Sequence, residues 1–548
     1  MNETTLLRPR TMTGTTYSPD LPDRASSVLG RSDVFETSLL EAMLQHAEAR
    51  PRQLAVKDDD ESLSYADLAE RVAATASGLA QVGVHEGDRV AVSIPNSAQF
   101  VIAALACLWL GSPFIPIATD DPPPRRATIL KDSNATWLLD LGSDHELTVR
   151  RIGGDGAIQA EVTALPSAAE TPPPRATDGG RDAYVIYTSG TTGMPKGVCI
   201  SEMAFRWAVV CAAGSIGLDE GTRTLCVSPF HFDGSYGTAF STLGVGGSLV
   251  IPRREDLLFL RRFFRALRED QITHTGFSPS YLRLLLSSPE CERLADSELQ
   301  TLGLGGEESL AKDLGRLWQI RPSLRIFNRY GPTETTVEVT TYEITREDLA
   351  EDRIPIGVPH PGVSFHLVAP DGTVLEQAHT VGELYIGGNQ LMNGYWGDPP
   401  LTRSVLRADV IPGEVLYKTG DLMYRDERGR YVYMFRSDDV IKRRGVRISL
   451  VEIAKAMQSI EHVVRAECIE TPSEQGVRIT AFVETDASTS SRAILAGARQ
   501  YLPATMLPDD VCIVEGLPMS SAGKVDRGRL RAMSGAGRGQ SDAGPQRG

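Results

Sequence analysis

From residue 38 onward two hydrophobic rhythms alternate along the chain. Leu39, Leu40, Met43 and Leu44 fall on one side of a helix over 38–49, and Leu68, Val72, Ala76, Leu79 and Val82 repeat at helical spacing in a second helix that starts near Tyr65. Short apolar runs follow at 89–94, 183–187, 224–227, 248–251, 272–275 and 324–328, with helical stretches between them. The first run is closed by Pro95 and Asn96. Strands alternating with helices predict largely parallel sheets covered by helices, a mixed α/β fold.

The two ends lack either rhythm. Residues 1–34 are rich in Thr, Ser, Arg and Pro and read as a loose arm, and 534–548 are Gly-, Gln- and Ser-rich and read as a disordered tail. A chain of 548 residues is too long for one hydrophobic core. The composition changes near Arg436, and about a hundred residues with their own strand and helix pattern follow, enough for a small second domain.

Composition narrows the function classes. Apolar residues make up 41% and charged residues 23%, the balance of an ordinary globular protein. No run of eighteen apolar residues offers a membrane span, and Arg8 and Arg10 have no apolar stretch behind them to form a secretory signal. Seven cysteines without CxxC spacing read as reduced structural thiols in a cytoplasmic protein rather than a zinc site. A net charge of -15 argues against nucleic-acid binding, although local donors can still hold a nucleotide's phosphates.

The densest cluster of such donors follows the apolar run at 183–187. Residues 188–197 read Thr-Ser-Gly-Thr-Thr-Gly-Met-Pro-Lys-Gly. Gly190, Gly193 and Gly197 let backbone N–H groups converge on one point, and Thr188, Ser189, Thr191, Thr192 and Lys196 add side-chain donors, so a strand ending here makes a polyphosphate cradle. It is not a Walker loop, because Gly197 rather than Ser or Thr follows the lysine.

This loop resembles the signature of the adenylate-forming superfamily, which includes acyl-CoA synthetases, luciferases and the adenylation domains of nonribosomal peptide synthetases. Further stretches match the superfamily's motifs in order: Leu-Ser-Tyr-Ala-Asp-Leu at 63–68, Trp-Leu-Gly-Ser-Pro-Phe-Ile-Pro-Ile at 109–117, Asn-Arg-Tyr-Gly-Pro-Thr-Glu at 328–334, Gly-Glu-Leu-Tyr-Ile-Gly-Gly at 382–388, Tyr-Lys-Thr-Gly-Asp-Leu at 417–422 and Gly-Lys-Val-Asp-Arg at 523–527. The resemblance covers about 38–533. It implies an N-terminal core domain over 35–434, a hinge at 435–438 with Asp438 as its pivot, and a mobile C-terminal domain over 439–533.

The chemistry implied is attack of a carboxylate on the α-phosphate of ATP, with pyrophosphate leaving. Charge builds on phosphate oxygens in such a step, so positioned cations and donors carry it. By resemblance, 188–196 hold the β- and γ-phosphates, Thr333 donates to the α-phosphate, and Glu334 holds Mg²⁺. Tyr330 stacks on adenine, Asp421 takes the ribose hydroxyls, Arg436 faces the ribose or phosphate, and Gly306, Glu307, Asn328 and Gly331 complete the nucleotide site. Lys524 would reach in from the small domain to bridge the carboxylate and the α-phosphate. The chain departs from the superfamily pattern at Phe435, Val451, Ala522 and Asn393, positions that concern the thioester-forming face and loop geometry more than ATP.

Phe-Asp-Gly-Ser at 232–235 resembles the motif in which amino-acid-activating domains pair an aspartate with the substrate ammonium. Carried over position by position, the acid pocket comprises Asp233, Gly234, Gly237, Gly276, Gly303, Gly305, Arg329, Val337 and Glu338. Its glycines suggest room for a bulky or extended substrate, or for one in shifted register such as a β-amino acid. Arg329 can pair with a second substrate carboxylate, or with Glu338 to leave the pocket neutral. His231 can gate a pantetheine tunnel or simply pack. No carrier-like Leu-Gly-Gly-Asp-Ser segment follows Arg527, so the acceptor is expected to be a carrier protein in trans, with CoA as the alternative. Lys442, Arg443, Arg444 and Arg447 form a basic cluster suited to an acidic carrier.

Overall fold

The predicted elements form where the sequence places them, each closed by local chemistry. In the computed structural model, helix Leu39–Ala49 starts at Ser38, whose hydroxyl caps Glu41 N–H while the Glu41 carboxylate returns to Ser38 N–H. Helix Tyr65–Val82 has the same reciprocal cap between Ser64 and Asp67 and ends at Gly83, whose φ of 99° a side chain would disfavour. The structure describes residues 37–121, 123–142, 146–159, 163–165, 171–189, 195–253, 256–257, 259–437, 440–443, 446–473, 476–502, 506–520 and 525–536.

Among these residues, two eight-stranded sheets dominate. One runs in the order Thr340–Ile344, Arg325–Tyr330, Thr301–Gly305, His274–Phe277, Arg223–Cys226, Ser248–Val250, Leu54–Lys57 and Ser62–Ser64, parallel except for its two edge strands. The other centres on Asp182–Ser189, Phe114–Pro116, Val90–Ser93 and Trp137–Leu141, with Pro195–Ser201 and Gly394–Tyr395 on one flank. Helix Ala98–Leu110 is apolar almost all round and buried almost all round, as such a helix must be. It belongs to an apolar cluster that draws Val56 and Leu249 from the first sheet and Val90, Tyr184 and Val198 from the second.

A third, antiparallel sheet contains Val363–Val368, Gly382–Gly388, Leu416–Arg425 and Tyr431–Arg436. Its last strand ends with Phe435 and Arg436 in register with Leu422 and Asp421, so both residues of the expected hinge that precede Ser437 lie within a sheet. Beyond 440 the described strands pair only with one another, and helices Leu450–Gln458 and Ser491–Ala498 pack on them through Ile453, Met457, Cys468, Ile479 and Ile494. The expected loose arm at 1–34 and the expected pivot Asp438 lie outside the described residues. The expected disordered tail begins too early: the last helix, Arg527–Ala536, includes Ser534, whose hydroxyl returns to the Arg531 carbonyl at 2.9 Å. Among the described residues no helix is long and apolar enough to cross a membrane. All seven cysteines are unbridged and six are buried, and burial pushes the Cys107 thiol up to about 12.

The first and third sheets are tied by a buried carboxylate. Asp348 accepts hydrogen bonds from Tyr342 Oη, Thr345 N and Oγ1, and Arg430 Nη1 at 2.7–3.1 Å. Removing Asp348 strips several buried donors of their acceptor, at about 1–3 kcal/mol each, while Arg430 keeps Asp426 at 2.7 Å. Asp348→Ala is expected to lower the calorimetric unfolding temperature by several degrees; an unchanged transition would show that the tie contributes nothing.

Candidate functional site

The Gly/Thr loop is closed at its base by a hairpin ladder. Strands Asp182–Ser189 and Pro195–Ser201 pair antiparallel, with Thr188 opposite Lys196 and Ser189 opposite Pro195. Thr188 Oγ1 is buried with no hydrogen-bond partner among the described residues, an orphaned donor at the loop's edge. Gly190, Thr191, Thr192 and Gly193 lie outside the described residues.

Lys196 converges with a residue far along the chain. Its Nζ donates to Glu334 Oε1 at 3.0 Å and to Tyr395 Oη at 2.7 Å, and the Tyr395 hydroxyl donates to the same Glu334 oxygen at 2.6 Å. Strand Gly394–Tyr395 pairs with Pro195–Ser201, which fixes the tyrosine beside the lysine. Burial alone would raise the Glu334 carboxyl, but Lys196 and the Tyr395 hydroxyl outweigh it and hold the group below its ordinary value. This largely buried carboxylate beside one cation could hold a divalent ion. The sequence alone did not single out Tyr395; its hydroxyl chemistry shows once the two strands are paired.

A second cluster forms where the first and third sheets meet. Tyr330 Oη donates to Asp421 Oδ2 at 2.5 Å, and Arg436 Nη1 donates to Asp421 Oδ1 at 3.1 Å. Register places Asp421 opposite Arg436 on neighbouring strands. The structure therefore brings Tyr330, Asp421 and Arg436 together. Burial first and Asp421 second keep the Tyr330 phenol protonated. Asn328 instead reaches the Pro355 carbonyl at 2.8 Å, and Glu307 is held by Ser280 N and Oγ at 3.0 and 2.5 Å, so both brace the site. Gly306 adopts φ 80° in the exposed turn before Glu307. Thr333 opens the short 3-10 turn Thr333–Thr335 that presents Glu334.

Asp233 opens another 3-10 turn, Asp233–Ser235, which runs directly into helix Tyr236–Gly244. Burial first and the nearby Asp233 charge second raise the Tyr184 and Tyr236 phenols, which places the Asp233 carboxylate at the edge of their aromatic cluster. The glycines of the expected pocket do not leave open room. A Cβ on Gly237 would stand 2.6 Å from Arg329 Nη2, one on Gly276 2.9 Å from Nη1, and one on Gly303 2.7 Å from Cδ. On Gly305 it would meet the Arg329 carbonyl at 2.9 Å, whereas Gly234 is open. Of the two pairings open to Arg329, the structure has the internal one: its guanidinium is buried against Glu338 and reaches Thr238 Oγ1 at 3.2 Å. Val337 and Thr336 hold φ of 68° and 60°, unusual for β-branched residues. Gln390, which sequence reasoning missed, pins this turn by donating to the Glu338 carbonyl at 2.7 Å and the Thr336 carbonyl at 3.2 Å. Lys524 and Arg444 lie outside the described residues, as do the side chains of Ser189, Lys442, Arg443 and Arg447.

Comparison with known proteins places the chain in a family. The family model of the AMP-binding enzymes matches residues 43–396. Tyrocidine synthase 1 of Brevibacillus parabrevis is 31% identical over 492 residues, 89% of this chain but 44% of that protein. The chain spans still less, 10% to 19%, of several longer synthases that it also matches. Klebsiella oxytoca NpsA, solved with 3-hydroxyanthranilyl-AMSN, superposes with a TM-score of 0.77 at 22% identity, over 91% of this chain and 99% of that one. The o-succinylbenzoate CoA synthetase of Bacillus subtilis, solved with its acyl-adenylate, gives 0.75 at 24% identity, over 89% and 97%. At these identities the two structures establish the shared fold.

The turn that carries Glu334 depends on one close approach. A Cβ on Gly331 would lie 2.4 Å from Glu338 Cα and 2.6 Å from the Val337 carbonyl oxygen, backbone atoms that cannot step aside. Gly331→Ala is expected to lower the thermal midpoint markedly while Gly234→Ala leaves it unchanged. Equal midpoints in differential scanning calorimetry would mean that the turn relaxes freely.

Proposed function

We propose that this chain, which belongs to the AMP-binding enzyme family and is an AMP-forming acid–thiol ligase of the adenylation type, takes an amino acid as its acid. The observation that carries the reading is Asp233, a half-buried carboxylate at the start of the helix whose next turn forms one wall of the pocket. A substrate ammonium pairs with such a group, and an acid lacking it leaves the charge desolvated. The product is an aminoacyl-AMP, passed to the phosphopantetheine thiol of a carrier in natural-product assembly, in a cytoplasmic setting.

In this reading Lys196, Thr188 and the Gly/Thr loop hold the β- and γ-phosphates of ATP. Asp421, with Arg436 beside it, receives the ribose hydroxyls, Tyr330 lies against adenine, and Thr333 donates to the α-phosphate. Glu334, freed from Lys196 as that cation turns to phosphate, would hold Mg²⁺. The bound ion would supply charge neutralisation on the phosphate oxygens. Orphaned Thr188 Oγ1 and the adjacent Lys196 and Glu334 are the features that fit these groups. The acid's carboxylate attacks the α-phosphate, its P–O bond to pyrophosphate breaks, and Lys524 stabilises the carboxylate and α-phosphate together. Rotation about Asp438 then exchanges the lysine face for one that admits the thiol.

Pyrophosphate exchange over a panel of amino, fatty and aryl acids tests the acid class. Amino acids are expected to exceed their desamino analogues by at least tenfold, and Asp233→Ala is expected to remove that margin while leaving ATP binding intact. Equal exchange with plain fatty or aryl acids would replace the reading with that of a CoA ligase. Separately, Lys524→Ala is expected to slow adenylate formation by orders of magnitude and to spare thiol transfer from supplied adenylate; equal losses in both half-reactions would make the lysine structural.

A further inference from the structure

We propose that the Arg329–Glu338 pair is a plug that shortens the acid pocket and restricts the enzyme to acids with short, uncharged side chains. The proposal rests on the reading that the acid lies beneath Asp233. Glycines at Gly237, Gly276 and Gly303 come from a helix and two different strands, yet all three crowd one object, the Arg329 side chain, at 2.6–2.9 Å from where their Cβ atoms would be. Three absent side chains create a cradle, and the guanidinium fills it. The space is therefore spent inside the protein rather than offered to a large substrate.

The plug is also anchored. Glu338 closes the charge of Arg329, and both side chains are more than nine-tenths buried. Thr238 Oγ1 accepts from Nη1 at 3.2 Å, and Gln390 holds the Glu338 backbone at 2.7 Å. His274 and His360 pack nearby, and burial with the Arg329 charge brings them down to about 3 and about 4, so neither adds charge at neutral pH. A substrate that reaches past the plug must move Arg329 and leave the buried Glu338 carboxylate without its cation. A second substrate carboxylate fares no better, because the guanidinium's charge is already balanced and two carboxylates would share it.

The test is pyrophosphate exchange by the full chain with glycine, alanine and serine against leucine, phenylalanine, tryptophan and glutamate. A parallel series uses the desamino acids propionate and 3-phenylpropionate. The wild type is expected to favour the short members at least tenfold in kcat/KM. Arg329→Ala/Glu338→Ala, which removes both charges together, is expected to raise phenylalanine exchange at least tenfold and collapse that ratio. Wild-type exchange with phenylalanine or glutamate equal to that with alanine overturns the plug, as does an unchanged ratio in the folded double variant. Should the double variant not fold, the wild-type series still decides. If the desamino acids exchange as well as the amino acids, the amino-acid reading fails, while the length ratio within either series still judges the plug.

Discussion

The site depends on one tight return of the chain, the approach of Gly331 to the backbone of Glu338. Strand Arg325–Tyr330 leaves the first sheet and comes back within a few residues to pair with Thr340–Ile344. That return forces neighbouring side chains outward in different directions. Tyr330 reaches Asp421 in the third sheet, Glu334 reaches Lys196 in the second, and Arg329 turns into the first sheet's glycine cradle. Three sheets thus meet at one loop, and its geometry is set by backbone contacts with little slack.

The electrostatics follow from the same convergence. Glu334, Asp421 and Glu338 are buried carboxylates, and each has a cation beside it: Lys196, Arg436 and Arg329 respectively. A buried charge without a partner would be costly, so each of these carboxylates needs its cation for the loop to fold.

Much of this was legible in the sequence. Helical spacing located Leu39–Ala49 and Tyr65–Val82, and the apolar runs located six strands of the first two sheets to within a residue or two, because both signals are local. Motif order placed Tyr330, Asp421 and Arg436 in one site. What could not be read was how space is divided. A glycine in a sequence states only that a side chain is missing, and whether the gap admits a ligand or a neighbouring residue depends on non-local packing. Gln390 and Tyr395 were missed for the same reason: their partners lie roughly 50 or more residues away in sequence, at Thr336 and Glu338 for one and at Lys196 and Glu334 for the other.

Side chains along a strand alternate between its faces. In Arg325–Tyr330 the alternation sends Asn328 and Tyr330 one way, toward Pro355 and Asp421, and Arg329 the other, toward Gly276 and Gly303. One short ladder thereby keeps apart the residue proposed to lie against adenine, Tyr330, and the one proposed to limit the acid, Arg329. On that reading, residue 329, its carboxylate companion and its glycines can be exchanged as one set that changes the acids accepted while leaving Asn328 and Tyr330 on their own face of the strand.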